Sequence, residues 1–273
     1  MEVSFSQIKE KESIDSKKID PNIIVVVPGE VITTEQGFLK GHGVYVEDNK
    51  MIASVCGVVE RVNKLISVRP YKSRYVPKIG DVVIGRVTDL NAKGWKMDVG
   101  GYLDASLGIN SIILPGGENR RRTDADILQM RNIFVEYDLI SAEVQQVDKM
   151  GSVALHTRSP RYGKLTNGVL VQVPCVLVKR LKQHFVNLDC GVCCIIGNNG
   201  FIWVRDTMEE GDQNINNSSS VEIDRQKKEY SEKVIGPEVR RRISRVVKSI
   251  MDLKEHWKSI SPESIMTAYN SLT

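Results

Sequence analysis

Ile79-Gly-Asp-Val-Val-Ile-Gly-Arg-Val-Thr-Asp-Leu90 is the stretch from which the fold reads. The β-branched run from Val82 to Leu90 predicts a strand. Four further strands follow at short intervals: Gly94-Trp-Lys-Met-Asp-Val99, Leu103-Asp-Ala-Ser-Leu-Gly-Ile109, Leu139-Ile-Ser-Ala-Glu-Val-Gln-Gln-Val147 and Ser152-Val-Ala-Leu-His-Thr157. A helix interrupts them. Thr123 can cap its N-terminus, Asp126 can reach back, and Ile127, Leu128, Arg131 and Phe134 continue it. Five short strands and one helix over residues 76–158 predict a five-stranded OB-type barrel.

Outward from this barrel the pattern changes on both sides. Residues 1–22 are charged and lack a sustained apolar period, which predicts a flexible tail. Residues 23–75 carry the β-branched runs Ile23–Val27, Gly43–Glu47, Ile52–Val62 and Leu65–Val68, separated by turn residues, and predict a small β-rich N-terminal domain closed as a barrel or sandwich. Residues 159–273 predict an α/β domain with C-terminal helices. In it Gly168–Val173 reads as a strand, and Leu177–Phe185 reads as a helix with Leu177, Val178, Leu181 and Phe185 on one face. The apolar runs Val192–Ile196 and Phe201–Val204 flank Gly197-Asn-Asn-Gly200. Residues 206–235 are polar and read as an insertion. Gly236-Pro237 then opens a helix with an apolar stripe of Val239, Ile243, Val246, Val247 and Ile250 and a basic face of Arg240, Arg241, Arg245 and Lys248. Ser261-Pro262 caps a last helix through Ile265, Met266 and Tyr269. The expected class is multidomain and mainly β with an α/β portion.

The chain has 273 residues, more than one domain ordinarily holds, and a net charge of +4. From Arg61 to Lys182, 20 lysines and arginines face 11 aspartates and glutamates, so the excess is concentrated in the middle. Such an excess suits a polyanion and equally a solvated surface. The longest apolar run, Ile23–Val27, cannot span a bilayer, and Met-Glu-Val-Ser-Phe is not a signal peptide, so an intracellular chain with no membrane partner is expected. Five cysteines, an odd number, fit reduced thiols, and Cys190-Gly-Val-Cys193 has no second ligand pair at zinc spacing. Asp124 and Asp126 have no third acidic ligand at useful spacing. His42, His156, His184 and His256 are scattered, with no nucleophile or base grouped around them. No cofactor, metal or catalytic residue is therefore expected.

The residues with chemistry for a polyanion are few. Trp95, between Lys93 and Lys96, is either a platform for stacking bases or a core tryptophan. Arg120, Arg121 and Arg122 stand just before a helix N-terminus, where positive charge is unfavourable unless an anion is near; a solvated loop is the other reading. Gly197-Asn-Asn-Gly200 is a hairpin turn by its flanking runs, and it is also similar to the GxxG loop with which KH domains hold nucleotide backbones.

Several of these segments carry a resemblance. Ile79–Val87, Asp138–Val144 and Gly151–Leu155 resemble the opening strand and closing pair of S1 domains. Val27-Pro-Gly-Glu-Val31, Gly41-His-Gly43, Gly57–Asn63, Leu114-Pro-Gly-Gly-Glu118 with Arg120–Arg122, Leu155-His-Thr-Arg158, Tyr162–Leu165 and Ile196–Trp203, in that order, resemble the ribosomal RNA-processing protein 4 family, the S1/KH cap subunits of the eukaryotic RNA exosome. The resemblance implies an S1 barrel and a KH-like domain that bind single-stranded RNA without cleaving it. It implies a seat, beside other cap subunits, on a ring of RNase PH-like subunits, with the chain stabilising that ring and guiding 3′ ends in rRNA processing and 3′-to-5′ RNA degradation. It further implies a home in nucleus and nucleolus, also cytoplasm. The implied RNA-binding set is Lys93, Trp95, Lys96, Arg120, Arg121, Arg122 and Arg158, with Gly197, Asn198, Asn199 and Gly200 as a KH loop. A sister S1/KH cap subunit and a translation-associated S1 protein are the alternatives; the Leu114–Glu118 and triple-arginine loop favours the first reading over the sister.

Overall fold

A computed structural model describes residues 24–35, 37–113, 127–207, 225 and 228–271. Arg120, Arg121, Arg122, the expected helix start at Thr123–Asp126 and most of the polar insertion lie outside the described residues. The chain divides into two compact units, one ending at Tyr71 and one beginning at Lys72.

The first unit is all β. Strands β1 (Val25–Val26), β2 (Val31–Thr33), β3 (Leu39–Lys40), β4 (Val44–Glu47), β5 (Lys50–Ala53), β6 (Gly57–Val62) and β7 (Leu65–Pro70) form two sheets, in the orders β1-β6-β7-β3 and β2-β5-β4. Asp48 and Asn49 both take positive φ between β4 and β5, as a two-residue hairpin turn requires. Val26, Val44, Met51, Ala53, Ile66 and Val68 are the buried core.

In the second unit, β8 (Val82–Asn91), β9 (Gly94–Asp98), β10 (Ala105–Ile112), β11 (Leu139–Val147) and β12 (Val153–Thr157) match the five strands expected. Antiparallel pairs run β10-β9-β8-β11, β12 pairs antiparallel with β11, and a parallel pairing of β12 with β10 closes the ring. Closure leaves these five strands without an open edge. The short helix α1 (Met130–Ile133) precedes β11 and buries Met130 against the barrel core, and β13 (Gly163–Lys164) adds to the outside of β11.

The remainder is a four-stranded antiparallel sheet, β14 (Gly168–Gln172), β15 (Phe185–Leu188), β16 (Val192–Ile196) and β17 (Phe201–Asp206), in the order β14-β17-β16-β15. Helices α2 (Pro237–Glu255) and α3 (Pro262–Ser271) cover one face, where Ile243, Val246, Ile250, Leu253 and Ile265 pack with Val171, Cys194, Ile196, Ile202 and Val204. From the other face Ile195 and Trp203 meet Ile84 of the barrel. The sheet is thus the middle layer of three. Ser261 and Ser264 cap α3 reciprocally: the Ser264 amide donates to Ser261 Oγ at 3.2 Å and the Ser261 amide to Ser264 Oγ at 2.8 Å.

The helix expected at Leu177–Phe185 is absent. Cys175–Leu177 makes one 3-10 turn and the chain then extends, with Val178 bridged in parallel to Ile260 and β15 beginning at Phe185. The Lys179 amide donates to Ile260 O at 3.1 Å and the Ile260 amide to Leu177 O at 2.7 Å. These backbone groups find partners some eighty residues along the chain, so the apolar spacing that imitates a helix serves a long-range pairing instead. At the far end of the sheet, Asn167 Nδ2 donates to the carbonyls of Tyr230, Ser231 and Lys233, and the Arg205 guanidinium lies 5.6 Å from the centre of the Tyr230 ring.

Candidate nucleic-acid interface

Strand alternation decides which side chains of the barrel face outward. Along β9, Gly94, Trp95 and Met97 are buried while Lys96 and Asp98 are exposed. Trp95 is 1% exposed; its Nε1 donates to Phe134 O at 3.0 Å and its ring stands edge-on to Phe134, with centroids 5.2 Å apart. Trp95 is therefore not a stacking platform. It shares its parity with Met97 and Val99, both in the same core, and the two-residue strand period sends all three inward.

The lysines beside it point the other way. Lys93 is exposed at the β8–β9 turn, and Lys96 is exposed on the barrel wall with Nζ 3.1 Å from Asp104. Arg158 is exposed just past β12. The register shows which of these meet. Gly94 lies opposite Gly108 and Thr157 opposite Ile112, so Lys93 and Arg158 leave the barrel at the end where β10 finishes. Ile113, from which the chain departs toward the triple-arginine segment, leaves at that same end. Lys96 lies part-way along the wall. Two of the expected residues, and the root of the segment that bears three more, thus share one rim.

Gly197-Asn-Asn-Gly200 belongs to the opposite end. It is the turn of the β16–β17 hairpin, with the Gly197 amide donating to Phe201 O and the Gly200 amide to Gly197 O. Asn199, 4% exposed, donates through Nδ2 to Ile84 O at 2.7 Å and Val99 O at 2.9 Å, and the Asn198 amide donates to Val82 O at 2.9 Å. Gly200 has φ +85°, and a Cβ there would stand 2.2 Å from Val173 O. The loop is buried against the barrel, so Gly197, Asn199 and Gly200 cannot clamp a nucleotide backbone as GxxG loops do. The hairpin reading holds, with a task the sequence did not suggest: it pins one domain to the next.

Asp81 completes that joint. Its carboxylate, 4% exposed, accepts from Tyr75 Oη at 2.7 Å, the Lys78 amide at 3.1 Å, Asn198 Nδ2 at 3.0 Å and Arg180 Nη2 at 2.8 Å. Burial, and then the hydrogen bond to this carboxylate, push the Tyr75 phenol far above its usual value. A charge inside an otherwise apolar strand opening was the available signal for Asp81; nothing local pointed to Arg180.

Two strongly exposed aromatics of the barrel were missed, Tyr137, 76% exposed just before β11, and Tyr102. Tyr102, 70% exposed in the β9–β10 loop, has the Arg74 guanidinium 5.6 Å from its ring centre. Its signal was an aromatic after two glycines in a turn. Elsewhere Cys193 and Cys194 are buried in β16, and burial raises the thiols of Cys190 and Cys194. Among the described residues no three His, Cys, Asp or Glu side chains gather as a metal site, and no helix is long and apolar enough to cross a membrane.

A closed five-stranded barrel with a basic rim, locked onto a sheet backed by two helices, defines a protein of the S1/KH class. Family models agree in order along the chain: the RRP4 N-terminal region of an exosome complex exonuclease matches residues 25–62, the RRP4 S1 domain 74–146 and a KH domain 168–210. The exosome complex component rrp4 of Schizosaccharomyces pombe is 45% identical over 262 residues, 93% of this chain and 77% of its own length. The RRP4 components of Mus musculus and Bos taurus are 54% and 56% identical over 73% and 68% of this chain, which spans 66% and 63% of their lengths. The chain belongs to the RRP4 family of exosome complex components.

Proposed function

We propose that this chain is a non-catalytic, RNA-binding cap subunit of an RNA exosome, stabilising a ring of RNase PH-like subunits and guiding RNA 3′ ends toward a nuclease on another chain. The observation that carries this reading is the ordered match of an RRP4 N-terminal region, an RRP4 S1 domain and a KH domain, together with a relative named as an exosome complex component that is 45% identical over 93% of this chain. The rim of Lys93 and Arg158, with Arg120, Arg121 and Arg122 on the segment rooted beside them, supplies cations for a phosphate backbone in the S1 barrel.

The first unit supplies a surface for assembly. Leu39 of β3 pairs with Leu65 of β7, which pairs with Val62 of β6, and these three side chains are 64%, 41% and 63% exposed. Adjacent exposed apolar groups on one sheet mark a protein contact. The same reading expects the chain in nucleus and nucleolus, and also in the cytoplasm.

The test is affinity purification of the tagged full chain. Recovery of RNase PH-like subunits with it, and no RNA cleavage by the chain alone with phosphate or a divalent metal, are expected. Recovery of ribosomes instead of a ring, or turnover by the isolated chain, overturns the reading.

A further inference from the structure

Helix α2 divides its cations sharply. Arg242 Nη1 donates to Cys190 O at 3.2 Å and Lys254 Nζ to Gln172 O at 3.1 Å, so the two basic residues flanking the apolar stripe tie the helix to its sheet. Arg240, Arg241, Arg245 and Lys248 do nothing of the kind. All four are exposed, and among the described residues none has an ion pair or side-chain hydrogen bond. At 3.6 residues per turn these four and exposed Ser244 span an arc of about 140° and run about 12 Å along the axis.

We propose that this outer face of α2 is a second RNA-binding surface, a track for a phosphodiester backbone separate from the S1 rim. The inference rests on the chain being an RNA-binding protein. Charge and the lack of apolar content choose the occupant. A protein interface has an apolar centre ringed by polar groups; from Arg240 to Lys248 this face has only Arg, Ser and Lys, exposed Met251 and Glu255 following only past Lys248, which suits a regular row of anions read without sequence. Because the sheet lies between α2 and the barrel, RNA on this track and RNA at the rim occupy different faces of the unit. A transcript held at its 3′ end by the rim has upstream phosphates to offer the helix.

The experiment uses the full-length chain and a version carrying Arg240→Gln, Arg241→Gln, Arg245→Gln and Lys248→Gln, which keeps side-chain length and helix propensity. Fluorescence anisotropy follows binding to a labelled single-stranded RNA and to an RNA hairpin with a single-stranded tail, from about 50 to about 200 mM salt. The substituted chain, melting at the wild-type temperature, is expected to bind the tailed hairpin about tenfold more weakly at the low-salt end. Its slope of log affinity against log salt should be shallower by about 0.7 for each phosphate that the helix no longer neutralises. A second version with Lys93, Arg120, Arg121, Arg122 and Arg158 changed to Gln retains binding that the α2 substitutions then abolish. Unchanged affinity and slope in the α2 version, with weakening only in the rim version, overturns the proposal and leaves the RNA-binding reading standing. If the wild-type chain binds neither RNA, both fall. If RNA binding is untouched while affinity for poly-L-glutamate drops, the face belongs to an acidic protein and the proposal is wrong.

Discussion

Trp95 and Asp81 look alike in sequence, each a conspicuous residue inside a strand motif, and the structure gives both to the interior. Lysines on either side made Trp95 a candidate for base stacking, yet its strand partners Leu90 and Leu107 and its bond to Phe134 make it the centre of the barrel core. Replacing Trp95 with Phe removes that Nε1 bond, leaves the Phe134 carbonyl buried without its donor and opens a small gap. It should lower unfolding free energy by about 2 kcal/mol in urea titrations. RNA affinity measured well below the melting temperature should stay within about twofold of wild type, since no base reaches the ring. A large drop in affinity at unchanged stability would instead return Trp95 to the surface role. Parity along β9 was visible in the sequence and sufficient to decide the question. The partners of Asp81 were not, because Arg180 and Asn198 come from a hundred residues away.

At the scale of elements, the barrel strands were legible because each carries its own β-branched alternation and its own turns. The failure lies at Leu177–Phe185, where four apolar side chains at helical spacing belong to a chain held open by Ile260. Local pattern cannot register a backbone partner that arrives from the last turn before α3. The Gly197–Gly200 hairpin is the converse: the turn was readable and its use was not. Changing Asn199 to Ala leaves the carbonyls of Ile84 and Val99 buried without donors, an expected cost of about 2 to 4 kcal/mol, whereas Asn198→Ala, at a half-buried position, should cost about 1 kcal/mol. Chemical denaturation separates the two values, and hydrogen exchange should quicken first in β8 near Ile84. Should Asn199→Ala abolish RNA binding with stability intact, the loop would be a nucleotide clamp after all.

For the whole molecule, the order of parts was legible and their fastening was not. The sequence divides readily into three stretches, yet the S1 and KH portions fold as one unit, because the seam between them joins amide-to-carbonyl bonds, one buried carboxylate and the apolar contact of Ile84 with Ile195 and Trp203, partners about a hundred residues apart that no local pattern links. The first unit is where assembly is expected to reside. Introducing Leu39→Asp and Val62→Asp, both at exposed positions, should eliminate recovery of ring subunits with the tagged chain while leaving RNA affinity within about twofold of wild type, charge being costly only where a partner would bury it. Undiminished recovery would move the assembly surface elsewhere on the chain.

Tyr230 and the end of β17 lie one ring apart, joined by Arg205 and by the Asn167 clasp, although the sequence separates them by more than twenty residues. The described residues on either side of the stretch between them therefore stand close together, and lengthening a connection whose ends are held together adds only slowly to the entropy of closing it. That makes it a socket. A fluorophore-bearing peptide or a small reporter domain spliced in between Thr207 and Lys228 would ride on the KH sheet without disturbing it, and would report on the chain from a point chosen by its own topology.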